Sequence, residues 1–574
     1  MRDKVGTSAS RDEPAGAPSR AFYIGGVLLL SLILTLTGLG SRDLWDPDET
    51  RYAAVAQTMM HSGEWIVPHL NGNIYGEKPP LSFWLMAGCF KLFGTNETAA
   101  RLPSALAGIL TALLVFLFAE RCFGTRGGFT AGIAAATAPA LAQLSRWAII
   151  DPLLTLCITL ASYLLFIGVE EEIRRKYAFP VAGIAMGAGL LIKGPPAVLP
   201  VLVILVYAAI FRNIRSVANR HLALCLAIAA AIMAAWIVPA CVRGGSAYTQ
   251  EILVHQTVGR YAQGWIHRKP AYYYLYVLPG LLMPWTLFLP GAVIKLLRRE
   301  QRFERSNPLA VKGIIFALVW IVVFGLFFST SKSKKPLYIL PTLPAAAMLV
   351  GGLISNAKKD EDVDSNRSAA DGWITVPIIL TAACVVLIAA ALPVGARYYL
   401  KLPLDRLIPL ILLGGALGIV SFVSAYITAK GRQTSAFALI ALALAGLNLT
   451  LSLVALEMFD VRKSGKEFAS RVGYISQGAR LATFGLRPQS FIFYGRHSIV
   501  PRFKNAEAAA DFLRSTQKSY LALPEKDMIA LRQSKGVVVF DGTAWGKETV
   551  LIANKTAAED FSARIRAREG GFTH

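Results

Sequence analysis

The stretch Ala21-Phe-Tyr-Ile-Gly-Gly-Val-Leu-Leu-Leu-Ser-Leu-Ile-Leu-Thr-Leu-Thr-Gly-Leu-Gly40, followed by Leu44-Trp-Asp-Pro-Asp-Glu-Thr-Arg-Tyr52, decides the fold class. The first part carries no charge, and about 20 apolar residues in a helix cross the ~30 Å hydrocarbon core of a bilayer. The run is too long for a signal-peptide core and lacks a clear cleavage site. It reads as a signal anchor behind a polar, disordered, cytoplasmic N-terminus over residues 1–20. Further apolar runs lie near 101–120, 128–145, 150–169, 177–192, 195–211, 221–241, 272–296, 310–328, 336–355, 373–393, 407–428 and 435–456, thirteen in all. Leu81 to Phe93 is too short to span comfortably, contains Lys91, and reads as an interfacial or re-entrant helix.

Composition points the same way. The 574 residues are 54% apolar and 17% charged, whereas soluble chains carry about 25% charge. Nucleic acid is the reflex reading of a net charge of +23. Here, however, the positive charge sits in short loops between apolar runs, where it orients a membrane protein and meets lipid phosphates. The six cysteines show no metal-pair spacing and no disulfide framework.

With the N-terminus in the cytoplasm, the cytoplasmic loops hold Arg121 and Arg126, Arg174 to Lys176, Arg212 to Arg220, Lys295 to Lys312, Lys358 and Lys359, and Lys430 and Arg432. Each is basic, as the positive-inside rule requires. The opposite side receives loops 41–100, 146–149, 193–194, 242–271, 329–335 and 394–406, and everything after 457. Several of these are basic as well, against the rule, and a bound anion accounts for that. After 457 the composition changes: Ser490 to Tyr494 and Gly536 to Asp541 read as buried strands, Ala506 to Arg514 and Lys526 to Gln533 as helices. The expected fold is therefore mostly α. A polytopic domain over 21–456 has about thirteen transmembrane helices and interfacial helices in a first periplasmic loop, 41–100. A small periplasmic α/β domain follows over 457–574.

In the first loop, Asp46, Asp48 and Glu49 stand together with Arg51 close behind. Acidic residues beside a bilayer are often functional, but Asp46 or Asp48 could equally cap a helix running to Met60. Glu77-Lys78-Pro79-Pro80 places a phosphate-suited ammonium on a rigid corner, or simply a local charge pair. Asp151-Pro152 reads as a helix N-cap, and Lys193-Gly194-Pro195-Pro196 as either a turn or a ligand contact. His255, Arg260 and Arg268 lie in one outer loop; Lys332, Lys334 and Lys335 lie in another, where phosphate binding competes with simple solubility. No single motif decides; the common sidedness of carboxylates and cations does. A lipid-phosphate donor needs cations for its phosphate and a carboxylate for a hydroxyl acceptor. No Walker loop or Rossmann fingerprint occurs, so no nucleotide cofactor is expected.

Trp45-Asp-Pro-Asp-Glu-Thr-Arg-Tyr52, Pro68-His-Leu-Asn-Gly72 and Tyr75-Gly-Glu-Lys-Pro-Pro-Leu81 open a series of motifs. It continues with Ala100-Arg-Leu-Pro-Ser104, Asp151-Pro-Leu-Leu-Thr155, Lys193-Gly-Pro195, Tyr272-Tyr-Tyr274, Pro284-Trp-Thr286, Ser331-Lys-Ser-Lys334 and Tyr338-Ile-Leu-Pro341. The series resembles the bacterial aminoarabinose transferases of lipid A, membrane glycosyltransferases of the GT-C fold related to protein mannosyltransferases. The resemblance implies Asp48 as the principal catalytic carboxylate and Asp151 as a second. It implies Arg51, Lys78 and Arg260 as donor-phosphate contacts with Tyr338 nearby, and Tyr75, Lys193 and Lys332 as candidate substrate contacts. Glu77 and His255 would hold a divalent metal such as Zn²⁺, its catalytic need left open. The implied donor is undecaprenyl phosphate carrying 4-amino-4-deoxy-L-arabinose; the implied acceptor is a lipid A phosphate, at the periplasmic face of the bacterial inner membrane. A protein or another glycan as acceptor, and a lipid-phosphate flippase, stand as alternatives. Gly76 departs from the family's usual bulky apolar residue and Phe83 from a common Tyr; both bear on the sugar or lipid pocket.

Overall fold

The computed structural model describes residues 18–259, 268–297, 308–361, 372–400, 403–534 and 536–570. It is a bundle of apolar helices carrying a small sheet domain at its C-terminal end. Among the described residues, eight helices are long and apolar enough to cross a membrane. The count becomes nine if Tyr273–Leu281 and Trp285–Ile294, bent by 101°, form one broken span. The chain is thus a multi-span membrane protein.

By that measure the expected count of thirteen is not reached, and the reasons are local. Run 21–40 yields α1 (Arg20–Leu36), only 17 residues long. After α2 (Asp48–Ser62) and α3 (Leu81–Phe93), runs 101–120 and 128–145 fall largely in one element, α4 (Glu97–Thr137), broken at Gly124 (φ 81°). A short α5 (Pro139–Leu144) precedes α6 (Asp151–Glu170), and α7 (Glu172–Lys193) opens on the polar residues Glu172, Arg174, Arg175 and Lys176. Run 195–211 is divided between a 3-10 turn and a helix of 12 residues. Hydropathy registers apolar runs and is blind to the glycine and proline breaks that divide or bend them.

Between α2 and α3 a two-residue hairpin pairs β1 (His69–Leu70) with β2 (Asn73–Ile74). At about 1.5 Å per residue, the 13 residues of α3 reach only ~20 Å.

In the C-terminal domain the five strands are β3 (Arg480–Phe484), β4 (Arg502–Phe503), β5 (Ser519–Pro524), β6 (Val537–Ala544) and β7 (Lys547–Ala553). They stand in the order β4-β3-β5-β7-β6; β3 is parallel to β4 and β5, and β7 is antiparallel to β5 and β6. Ser490 to Tyr494 is not a strand: Gln489–Phe493 is a single helical turn starting at Pro488, with Phe491, Ile492 and Phe493 all buried. A short, wholly buried run carries no period to separate the two conformations. The Gly536 run does form β6, but at the sheet edge, leaving Val537 and Val538 exposed. Ala506–Arg514 is a helix as expected, and Glu525–Ser534 adopts the tighter 3-10 form.

The C-terminal domain sits on the 41–100 loop. Asn71 exchanges two hydrogen bonds with the Val500 backbone, at 2.9 and 2.6 Å. The Leu44 N–H donates to Tyr494 Oη at 2.8 Å, and Lys466 reaches Glu97 at 2.6 Å and Asp43 at 3.2 Å. A second set of ion pairs, Arg121–Glu171 at 2.6 Å and Lys312–Glu170 at 2.6 Å, joins the other ends of α6 and its neighbours.

Candidate active site

Helix α2 begins without a side-chain cap: Pro47 is its N-cap residue, and Asp48 and Glu49 occupy the first turn. Successive helical residues rotate by about 100°, which parts Asp48 from Glu49, while Asp46 lies ahead of the helix, so the acidic cluster is split three ways. Asp46 turns to the C-terminal domain, where it accepts hydrogen bonds from Ser490 at 2.8 Å and from Trp545. Glu49 turns inward to Arg101 at 2.8 Å and Arg42 at 2.9 Å, and is 1% exposed. Asp48 turns into a cleft.

That cleft is lined by Asp48, Arg51 and Tyr52 of α2, Glu77 and Lys78 after the hairpin, Ile149 to Asp151, Lys193 at the end of α7, and Lys335, Leu337 and Tyr338. Asp48 accepts from Arg51 at 2.5 Å and stands 4.0 Å from the Lys335 ammonium. Arg51 also reaches Glu77 at 3.2 Å. Across the cleft Asp151 pairs with Lys193 at 2.5 Å, and the Lys193 ammonium lies 4.5 Å from the Tyr338 ring centroid. Asp151 is therefore not a cap, as the sequence suggested: Ile150 takes the N-cap position and Asp151 spends its charge on Lys193. The lining holds four cations (Arg51, Lys78, Lys193, Lys335) and three carboxylates (Asp48, Glu77, Asp151). The site is cationic by one charge and suited to a phosphate held beside a carboxylate.

Behind the cleft, Glu49 accepts from the Arg101 and Arg42 guanidiniums, from Trp45 N–H at 3.0 Å and from Ala148 N–H at 2.9 Å. Burial alone would raise its carboxyl, but the two guanidiniums and the donated hydrogen bonds hold it at about 2. Arg101 spends its other donors on the carbonyls of Leu39, Arg42 and Asp43. The hub thus fixes α2, α4 and the Ala148 segment that leads into Asp151.

Tyr75 lines no part of the cleft. It is buried against Phe83, with ring centroids 5.8 Å apart, its hydroxyl without a hydrogen-bond partner among the described residues and its ionisation pushed well up by burial. Phe83 lies between Tyr75 and Tyr52 and is fully buried. At Gly76 a Cβ would come within 2.7 Å of Glu251 Cγ, so the missing side chain makes room for Glu251.

Lys332 is exposed and outside the cleft lining; Lys335 takes the place expected for it. Lys335 precedes the 3-10 turn Pro336–Thr342, and residues three apart share a face in that form. The three-residue spacing of Lys335 and Tyr338 was the signal available in the sequence. Lys334 is buried and donates to the carbonyls of Lys269 at 3.1 Å and of Ser331. Burial draws its ammonium down from the ordinary lysine range. Ser333 bridges to Arg268, so the basic segments around 268 and 333 meet. Arg260 lies outside the described residues.

Glu77 and His255, implied as metal ligands by the resemblance, each stand beside a charged side chain. Glu77 faces Arg51, and His255 Nδ1 is 3.1 Å from Glu251. Among the described residues no group of three or more His, Cys, Asp or Glu side chains is gathered as a metal would need.

The dolichyl-phosphate-mannose-protein mannosyltransferase family matches residues 77–238. An undecaprenyl phosphate-α-4-amino-4-deoxy-L-arabinose arabinosyl transferase of Pseudomonas paraeruginosa is 30% identical over 66% of this chain and 67% of its own length. The transferase of the same description from Photorhabdus laumondii is 28% identical over 74% and 76%. In structure, the fold is similar to that of ArnT from Cupriavidus metallidurans bound to undecaprenyl phosphate. The TM-score is 0.75 with 23% identity, over 93% of this chain and 97% of that one.

Proposed function

We infer the activity from one premise: the chain belongs to the family of the undecaprenyl phosphate-α-4-amino-4-deoxy-L-arabinose arabinosyl transferases. Its reaction is transfer of 4-amino-4-deoxy-L-arabinose from undecaprenyl phosphate to a phosphate of lipid A. The observation that carries the reading at the level of the site is the cleft of four cations around Asp48 and Asp151.

An oxygen of the acceptor phosphate attacks the anomeric carbon, and the bond from that carbon to the donor phosphate oxygen breaks. Undecaprenyl phosphate leaves with the electron pair. The acceptor phosphate is already an anion near neutral pH and needs no general base. Asp48 therefore orients the sugar and stabilises positive charge growing at the anomeric carbon, an electrostatic role. Arg51, Lys78, Lys193 and Lys335 hold the leaving phosphate, with Tyr338 at its edge, and Asp151 aims Lys193. Arg260 stays assigned to the donor phosphate on the family resemblance. The basic loops expected at the far end of the bundle support a periplasmic site in the inner membrane.

The test is mass spectrometry of lipid A from cells with and without the protein. Aminoarabinose on lipid A only when the protein is present is the expected result; an unchanged spectrum removes the acceptor assignment.

A further inference from the structure

Strands β6 and β7 are joined by a two-residue turn, Trp545-Gly546, with φ of 53° and 68°. Such turns favour Asn-Gly or Asp-Gly, and a bulky side chain at positive φ is an outlier that must be held by its surroundings. The surroundings here are specific. The indole lies against Gly465, where a Cβ would overlap it, and 6.0 Å from the Phe491 ring. The turn backbone docks through Trp545 N–H to Ser464 at 3.0 Å and Gly546 N–H to Val461 at 2.9 Å. The indole N–H donates to Asp46 Oδ2, which also accepts from Ser490 Oγ at 2.8 Å. The other oxygen, Asp46 Oδ1, accepts from the Thr50 hydroxyl in the first turn of α2. One carboxylate therefore grips the C-terminal domain with one oxygen and the start of α2 with the other. Asp48 stands between the two ends of that grip in sequence. Strain at such a residue persists where the position of the side chain matters.

We propose that the Trp545 turn and Ser490 are a positioning device for the transferase site: through Asp46 the C-terminal domain sets where Asp48 sits in the cleft. The inference rests on the Asp48 cleft being the site of transfer. It makes the C-terminal domain part of the active geometry, although none of its described residues lines the cleft.

The experiment uses the full-length protein in detergent, with the aminoarabinosyl undecaprenyl phosphate donor and lipid A. Trp545→Phe keeps an aromatic ring, though a smaller one, and removes the N–H. Turnover should fall about ten-fold, since small misplacements near reacting groups are costly, while donor KM stays within about two-fold. The thermal midpoint should hold within about 2 °C. Ser490→Ala should behave likewise and Ser490→Thr should restore the rate. Adding Trp545→Phe to Asp46→Ala should lower turnover no further, because the two act through one contact. Wild-type turnover in Trp545→Phe, a loss carried by KM or matched by lost stability, or additive losses in the double variant would each overturn the positioning role. A wild-type protein inactive with this donor would instead refute the transfer reading, and the proposal with it.

Discussion

Asp48 and Glu49 are neighbours in the chain and opposites in the fold. Asp48 lines a cleft and shares Arg51 and Lys335 with whatever enters it. Glu49 is enclosed, and its two oxygens take two guanidiniums and two backbone N–H groups. The first arrangement leaves charge available to a ligand; the second consumes it in holding helices together. A satisfied buried ion pair is weak evidence of net stabilisation, yet removing one partner strands the other and is strongly destabilising. The lesson is that a carboxylate's role follows the direction its helix turns it, not the company it keeps in sequence.

The contrast can be broken first at Asp48. Asp48→Asn should lower transfer by about 10³-fold or more, within the range of groups acting at a reacting centre, while expression and thermal midpoint remain wild-type. Glu49→Gln should do the reverse. Stranding Arg101 and Arg42 costs about 3–5 kcal/mol, read as a lower thermal midpoint, while the folded fraction keeps its turnover. A Glu49→Gln protein of normal stability and no activity would merge the two regions into one site. Lys335→Ala should raise donor KM about ten-fold, the loss of one charge-assisted contact, whereas Lys332→Ala should stay within about two-fold. The smallest effect concerns pH. Glu49's carboxyl is lowered from 4.5 to about 2 on folding. Its contribution to stability is therefore fully present above about pH 4.5 and is lost as pH falls toward 2. Thermal midpoints measured down that interval should fall more steeply for wild type than for Glu49→Gln.

Much of the fold and of the site is legible in the sequence. Apolar runs mark helices reliably because a helix in lipid must be apolar along its length. Short motifs from five separate segments, carrying Arg51, Lys78, Asp151, Lys193 and Tyr338, are gathered around one cleft. What escaped was whatever depends on direction or on breaks. Sequence alone could not say which of Lys332, Lys334 and Lys335 points inward, because the 3-10 turn that selects Lys335 is set by Pro336 and by packing of Ile339 and Leu340. It could not divide Asp46, Asp48 and Glu49, because Ser490, Trp545 and Arg101 come from three distant segments and only Arg42 from the same loop. The helix at Gln489–Phe493 was misread for want of any exposed face, and run 272–296 concealed a 101° bend.

The central claim is that the donor's phosphate is held in the Asp48 cleft. The most direct measurement is an experimental structure of this protein with undecaprenyl phosphate bound. The account predicts the phosphate within about 4 Å, ion-pair distance, of at least two of Arg51, Lys78, Lys193 and Lys335, with Glu49 still closed on Arg101. A phosphate bound away from those four residues, or one that opens the Glu49–Arg101 pair to reach Arg101, would contradict it.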